Sequence, residues 1–298
     1  MTAHATPRLA RPIARFITPG RRSLGDFDVR RALPQRSQQR VGPFIFFDHM
    51  GPADFPPGKG IDVRPHPHIG LATITYLFSG AIRHRDSLGY DQVIVPGEVN
   101  WMTAGRGVVH SERTPQTERQ SGSHLHGIQA WIALPADKEE VAPSFVHYSA
   151  KQIPQLQRPG ARLTVIAGSA YGASSPVETA SETLYMEADL DAGASLALPQ
   201  NVDEMAIYLV NGELDVEGET VQPGTMAVLS EDRSFLFRAR SDCKLMILGG
   251  ATLPGERIVW WNFVSSRRER IELAKTDWSE GRFDRVPGET DFIPLPER

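Results

Sequence analysis

Residues 64–82, RPHPHIGLATITYLFSGAI, join closely spaced histidines and prolines to a strand-like run that ends at a glycine. The last part of this stretch, TYLFSGAI at 75–82, resembles IYLVNGEL at 207–214. Each copy is followed by a Pro-Gly turn, at 96–97 in one case and at 223–224 in the other. A unit that recurs in this way indicates duplication of one β-structure. We therefore predict a chain of two similar halves.

The rest of the chain has the same β character. Its 26 glycines and 23 prolines separate short runs that are rich in Val, Ile, Leu and Thr, a pattern typical of strands bounded by turns. The charged and proline-spaced segment 134–160 reads as the junction between the halves. We predict an all-β protein with an N-terminal domain at 1–140 and a C-terminal domain at 141–298.

One helix is predicted near the C-terminus. The segment 262–281, NFVSSRRERIELAKTDWSEG, has charged residues on one face and Ser265 or Ser266 as a candidate N-cap. Three of its apolar residues recur at helical spacing: Ile271, Ala274 and Trp278.

Composition and charge restrict the function. The chain of 298 residues has 32 basic and 36 acidic side chains, so neither nucleic acid nor an anionic membrane is an expected partner. Cys243 is the only cysteine, which excludes an intrachain disulfide and a thiolate metal cluster and is typical of a reducing compartment. No apolar run approaches the length of a membrane span. We predict a soluble cytoplasmic protein.

The paired histidines predict a metal site. His66 and His68 are two residues apart, and side chains at i and i+2 of a strand share one face. His110 and Glu112, in AGRGVVHSERT at 104–114, repeat this spacing. Three imidazoles and one carboxylate on neighbouring strands would suit Fe(II), Mn(II), Ni(II), Cu(II), Co(II) or Zn(II). One isolated histidine on a strand is more often a structural residue than a ligand. Two pairs on shared faces favour a metal, because burial of imidazoles without partners costs free energy.

The other histidines carry less information. His124 and His126 also share a face and are predicted to line the cavity or to bond groups around the metal ligands. His49 and His84 are predicted to be surface or hydrogen-bonded residues.

At this point the chain resembles a known family, the pirins of the cupin superfamily. The resemblance rests on five segments in order, which extend over nearly the whole chain: GPFIFFDHMGPADF at 42–55, RPHPHIGLATITYLFSG at 64–80, NWMTAGRGVVHSERTP at 100–115, LHGIQAWIALP at 125–135, and NFVSSRRERIELAKTDW at 262–278. It implies two tandem cupin barrels of the jelly-roll type, one of which holds a single metal ion, usually iron.

The resemblance also implies a ligand set, namely His66, His68, His110 and Glu112. Many pirin-like sequences place a glutamate shortly after the histidine pair, whereas this chain has Ala72 there. When the two copies are aligned, Leu198 and Gln200 correspond to the histidine pair, and Phe237 and Ala239 correspond to His110 and Glu112. We therefore expect the second barrel to hold no metal.

Bacterial pirins are associated with quercetin 2,3-dioxygenase activity, the opening of a flavonol ring with O2 and release of carbon monoxide. The resemblance thus implies an oxidoreductase with a small aromatic substrate and O2. Glu112 is its candidate catalytic base. Four residues are candidate walls for a flat substrate: Phe46, Phe47, Trp101 and Met102.

Two other functions remain open. Animal pirins are regarded as nuclear co-regulators that respond to the redox state of their iron, and some bacterial pirins as modulators of metabolic enzymes. This implies a transcription factor or a metabolic enzyme as protein partner, without turnover. The basic stretch at 20–40 is a candidate surface, although its arginines alternate with acids. A cupin can also act on an unrelated small substrate, because one fold hosts many chemistries.

Overall fold

The fold was obtained as a computed structural model, which describes residues 11–23, 27–231 and 235–297. The strands are β1 Ile13–Ile17, β2 Gly20–Ser23, β3 Asp28–Leu33, β4 Phe44–Phe55, β5 Asp62–His68, β6 Leu71–Ser79, β7 Ile82–Asp86, β8 Asp91–Ile94, β9 Val99–Thr103, β10 Val108–Arg113, β11 Ser123–Ala133, β12 Ser144–Tyr148, β13 Gln155–Arg158, β14 Ala161–Ala167, β15 Ser169–Ala170, β16 Ala173–Ser174, β17 Thr183–Leu190, β18 Ser195–Ala197, β19 Glu204–Asn211, β20 Leu214–Val216, β21 Glu219–Val221, β22 Met226–Leu229, β23 Leu236–Ala239, β24 Cys243–Gly250, β25 Ile258–Trp260 and β26 Phe263–Ser265. The helices are α1 Gln116–Ser121 and α2 Arg268–Ser279, with a 3-10 turn at Ala136–Lys138. Neither α-helix of the described segments has the length and apolar character needed to cross a bilayer.

The strands form two barrels of equivalent design. The first combines a seven-stranded sheet, β12-β9-β6-β11-β4-β3-β2, with a four-stranded sheet, β5-β10-β7-β8. The second combines β1-β22-β19-β24-β17-β14-β13 with β18-β23-β20-β21. The two copies found in the sequence, in β6 and β19, occupy the same place in their sheets. The all-β fold of two tandem barrels is confirmed.

Sheet pairing crosses the predicted domain boundary. The N-terminal strand β1 pairs with β22 of the second barrel, and β12, which follows residue 140, pairs with β9 of the first. Each of these strands occupies the equivalent edge of a seven-stranded sheet. The division into 1–140 and 141–298 stays a prediction about folding units.

The two seven-stranded sheets contribute to one apolar core. Phe44 and Phe47 of β4 face this core, and Tyr185 and Tyr208 of the second barrel meet them. The ring centroids of Phe47 and Tyr208 are 5.0 Å apart, and those of Phe44 and Tyr185 are 5.5 Å apart. Burial of aromatic surface is the main favourable contribution here, so the interface between the barrels is part of the hydrophobic core.

After the second barrel the chain returns to the first. The amide of Val264 in β26 donates to the carbonyl of Ile69, at 3.1 Å, and the amide of Ile293 donates to the carbonyl of Pro65, at 2.8 Å. Gly70 allows the close approach, because it has a φ of +69° and a Cβ there would lie 1.9 Å from the carbonyl oxygen of Val264. C-terminal residues therefore flank the strand that carries His66 and His68.

The predicted C-terminal helix is present as α2, with Ile271 and Ala274 buried. The predicted serine cap is wrong. Ser265 is the last residue of β26, and the hydroxyl groups of Ser265 and Ser266 donate to the Glu139 carboxylate, at 2.8 and 3.1 Å. Since α2 begins at Arg268, its N-cap is Arg267 and both serines precede that position, so the helix has no side-chain cap.

Candidate metal centre

The histidines of the two sequence pairs meet inside the first barrel. Strands β5 and β10 are antiparallel neighbours, in which His110 is the Cα partner of His66 and Val108 is the partner of His68. Prolines precede both His66 and His68 in β5. None of the three histidines is more than 6% exposed. The alternation of side chains along each strand thus brings three imidazoles into one buried cluster.

The free nitrogens of these rings converge. A ligand nitrogen from each of His66, His68 and His110 lies within 4.8 Å of the others, and the Nε2 atoms of His68 and His110 are 3.0 Å apart. The Nδ1–H of His66 donates to the carbonyl of Arg64, at 2.9 Å, and that of His68 donates to the carbonyl of Asn262, at 3.2 Å. A carbonyl can only accept, so in neutral rings the Nε2 atoms of both histidines carry lone pairs.

This arrangement fits a metal ion. Burial lowers the pKa of His66 to about 4 and holds the pKa values of His68 and His110 well below their ordinary range, which leaves the imidazoles in the neutral form that binds metals. Converging buried lone pairs repel one another unless a cation lies between them. Each ligating histidine usually donates its other N–H to a fixed acceptor, as His66 and His68 do here.

Glu112 lines the same cavity but lies apart from the imidazole cluster. Its carboxylate is not in the group whose ligand atoms are all within 4.8 Å; Thr75 Oγ1 lies 3.4 Å from its Oε1. The pairing of β10 with β5 is irregular between His110 and Glu112, and the extra residue lies in β5, between His66 and Val63. Burial raises the pKa of Glu112. Its role as a metal ligand stays a prediction.

A cavity of about 510 Å³ adjoins the cluster. Its aromatic walls are Phe27, Phe46, Trp131 and Trp261, and its polar residues include Arg31, Asp48, Gln129 and Glu112. The rings of Phe46 and Trp131 stack at 3.9 Å. Arg31 forms two hydrogen bonds of 2.8 Å with the Asp48 carboxylate, so these two charges offset each other.

Only one of the four proposed wall residues lines this cavity. Phe46 does so. Phe47 and Trp101 lie in the core between the barrels, and Met102 packs in the same apolar cluster as Phe46 and Trp131 without lining the cavity. Phe47 faces away because neighbouring strand residues point to opposite faces. Ala72 also lies in the core between the barrels, so its position does not face the cavity.

Three residues of the site were not predicted from the sequence: Trp131, Trp261 and Asn262. Trp131 lies in LHGIQAWIALP, where alternation from Gln129 could have placed it on the cavity face. Trp261 and Asn262 come from the segment that returns to the first barrel, and no local sequence pattern indicates where that segment lies.

The prediction for His124 and His126 is wrong, because neither is among the residues that line the cavity. His124 is exposed and pairs with Asp54, at 2.7 Å. The Nε2 of His126 lies 2.7 Å from the Nε2 of His49, whose Nδ1 lies 2.8 Å from the hydroxyl group of Tyr208. His49 and His126 belong to a separate group beside the second barrel.

The protein is a two-domain cupin. Its strands form two barrels of cupin design, and the first barrel contains a buried cluster of three histidines that is compatible with a metal. The chain belongs to the pirin family. The model of the Pirin family matches residues 26–132, and that of the Pirin C-terminal cupin domain matches residues 185–284.

Individual proteins agree with this assignment. The chain is 47% identical to a pirin-like protein of Caulobacter vibrioides, over 93% of this chain and 97% of that one. It is 39% identical to a Pseudomonas aeruginosa protein provisionally named a quercetin 2,3-dioxygenase, over 88% of this chain and 82% of that one. The crystal structure of a quercetin 2,3-dioxygenase from Acinetobacter baumannii is similar, with a TM-score of 0.88 at 30% identity, over 95% of both chains.

Proposed function

We propose that this protein is a metal-dependent dioxygenase of the quercetin 2,3-dioxygenase type, which opens a flavonol ring with O2 and releases carbon monoxide. The observation that carries the proposal is the buried cluster of His66, His68 and His110 beside a cavity of about 510 Å³ with aromatic walls. The names of the Pseudomonas and Acinetobacter relatives support the same substrate class.

We propose Fe(II) as the resident ion, with His66, His68, His110 and Glu112 as its ligands. The same nitrogen and oxygen donors also suit Mn, Ni, Cu, Co or Zn, and availability decides among them. When bound, the ion supplies Lewis-acid and one-electron chemistry at the edge of the cavity.

The side chains of the cavity have three tasks in this proposal. The stacked rings of Phe46 and Trp131 give a flat apolar wall against which an aromatic substrate packs. The paired Arg31 and Asp48 add polarity without an unpaired charge. Glu112 accepts the proton of the substrate hydroxyl group as a general base.

The test is oxygen consumption by protein loaded anaerobically with Fe(II) and then given quercetin and O2, with carbon monoxide measured in parallel. We expect one molecule of carbon monoxide released for each O2 consumed. Metal-free protein should consume no oxygen and release no carbon monoxide. A protein that contains one equivalent of iron and consumes no oxygen with quercetin would contradict the proposed activity.

A regulatory role without turnover has less support in the described residues. In the basic stretch at 20–40, Arg21 pairs with Asp28, Arg31 pairs with Asp48, and Arg30 donates to the carbonyl of Gly51. The carboxylates of Asp28 and Asp48 offset the charges of Arg21 and Arg31, which reduces the positive charge available to a binding protein. The regulatory function stays a prediction of the resemblance alone.

A further inference from the structure

His84 and Asp86 lie directly behind His110. Both are in β7, which pairs with β10 so that Asp86 is the Cα partner of His110 and His84 is the partner of Glu112. His84 is 4% exposed and Asp86 is fully buried. From the sequence, His84 is predicted only as a surface or hydrogen-bonded residue, and no sequence pattern indicates a role for Asp86.

A chain of hydrogen bonds connects Asp86 to the metal cluster, and every donor in it points towards Asp86. Asp86 Oδ1 accepts the backbone amides of Leu88 and Tyr90, at 2.9 and 3.1 Å. Its Oδ2 lies 2.9 Å from His84 Nε2, and His84 Nδ1 lies 3.3 Å from His110 Nδ1. This leaves Nε2 of His110 as its ligand atom.

The proton positions follow from the donors and acceptors. The Asp86 carboxylate can only accept, so His84 Nε2 carries the hydrogen. In a neutral ring His84 Nδ1 is then an acceptor, and His110 Nδ1–H donates to it. The remaining lone pair of His110, on Nε2, points into the cluster.

Packing holds His84 in this orientation. Its ring stacks on Phe145, with centroids 4.3 Å apart and planes 14° apart. The ring of Tyr90, whose amide donates to Asp86, packs in turn on Phe145, with centroids 5.0 Å apart. The ring of His84 therefore cannot turn freely to present its other nitrogen.

We propose that Asp86 and His84 are positioning residues, which fix the tautomer and orientation of His110 and thereby set the affinity of the metal site. The inference rests on the proposed ligand role of His110. His66 and His68 donate to backbone carbonyls, which no substitution removes. Among the three, His110 is the one whose tautomer depends on side chains.

Asp86→Asn tests this inference sharply, because the amide must keep its oxygen towards the amides of Leu88 and Tyr90. Its NH2 group then faces His84 and donates to Nε2. His84 Nδ1 becomes a donor, and His110 takes the tautomer with the hydrogen on Nε2. That hydrogen points at the position of the metal.

The first measurement uses metal-free protein with 15N-labelled histidine, in which NMR distinguishes the two tautomers of each ring. We expect the Nδ1–H tautomer of His110 in the wild type and the Nε2–H tautomer in Asp86→Asn. A wild-type His110 with its hydrogen on Nε2 would refute the inference, independently of any measured metal affinity.

The second measurement is the Co(II) dissociation constant and absorption spectrum, by competition with a chelator. We expect Asp86→Asn to bind Co(II) about 10- to 100-fold more weakly, the range typical of groups that orient ligands, with an altered spectrum. The matched control is Asp91→Asn, which removes a carboxylate from the same hairpin that pairs with Arg83 at the surface; we expect wild-type affinity.

The outcomes separate this inference from the proposed function. Wild-type Co(II) affinity and spectrum in Asp86→Asn would refute the positioning role even if the enzyme is active. Undiminished Co(II) binding in His110→Ala would instead refute the ligand assignment on which both proposals rest.

Discussion

At the scale of single residues, Glu112 is the side chain whose role is least fixed by geometry. It shares the cavity with the imidazole cluster, but its carboxylate lies apart from it, near Thr75. A base needs to reach the substrate proton, whereas a ligand needs to reach the ion. Metal content and turnover therefore report on two different roles of Glu112.

We predict that Glu112→Gln keeps its metal, because three imidazoles remain, and loses at least 100-fold in kcat with quercetin, as expected for loss of a general base. Metal analysis and oxygen uptake on the same sample check this. Glu213→Gln, at a half-exposed position in the second barrel, is the matched control. Full activity in Glu112→Gln would remove Glu112 from the role of base, and loss of the metal would make it an essential ligand.

Single residues also show what the sequence could predict of the site. His66, His68 and His110 were predicted as one cluster because alternation along a strand is a local rule. His84, Asp86 and Asn262 were not, because their contacts depend on which strands pair and on where the C-terminal segment lies. Alternation also means that Phe46 and Phe47 cannot both face the cavity, and the structure shows that Phe46 is the one that does.

At the scale of elements, the C-terminal segment completes the site. Strand β26 lies beside Ile69, and the carbonyl of Asn262 just before it accepts the hydrogen of His68. The repeat and the glycine and proline punctuation predicted the strands of both barrels. They carried no information about this return, which is a long-range contact.

We predict that Gly70→Ala destabilises the protein and weakens metal binding. The added Cβ would lie 1.9 Å from the carbonyl oxygen of Val264, in a residue with φ +69°, so β26 must move away from β5. Gly58→Ala is the matched control, because its φ is +86° with no atom near the added Cβ. Its expected loss is about 1 kcal/mol, from backbone strain alone.

Urea unfolding and Co(II) titration of both variants measure the two effects. We expect a larger loss of stability in Gly70→Ala than in Gly58→Ala, with weaker Co(II) binding only in Gly70→Ala. Equal effects of the two variants would show that the contact between Gly70 and Val264 contributes little.

At the scale of the whole molecule, a polar group joins the barrels within their shared apolar core. His49 of the first barrel lies 2.8 Å from the hydroxyl group of Tyr208 of the second, with Arg30 and His126 beside it. Burial, followed by the charge of Arg30 and the proximity of His126, lowers the pKa of His49 to about 2. The interface thus requires a neutral His49.

We predict that acid weakens this interface. The folded-state pKa of His49 lies below its ordinary value of 6.5, so the unfolded chain binds the proton more readily. The contribution of neutral His49 to the free energy of unfolding is fully present above pH 6.5. It decreases as the pH falls towards the folded-state pKa, by up to about 1.4 kcal/mol per pH unit. His49→Gln should show a smaller fall between pH 6.5 and 4.

The free energy of unfolding, measured with urea at several pH values on metal-free protein, tests this expectation. His124→Gln, an exposed histidine position on the neighbouring strand β11, is the matched control. An unchanged pH slope in His49→Gln would mean that His49 does not resist protonation in the folded protein.

The two barrels share one topology, but their interiors differ in character. Leu198, Phe237 and Ala239, which the sequence alignment predicted at the positions of first-barrel ligands, are buried among apolar side chains. One metal site per chain is therefore the expected stoichiometry, and every proposed function of the first barrel depends on it.

Metal stoichiometry is the most direct measurement. We expect wild-type protein loaded with Fe(II) or Co(II) and then desalted to hold one equivalent, His66→Ala and His110→Ala to hold almost none, and Gln200→Ala to match the wild type. One equivalent retained in both histidine variants would contradict a metal centre built on these imidazoles, and a second wild-type equivalent, lost in Gln200→Ala, would place another site in the second barrel.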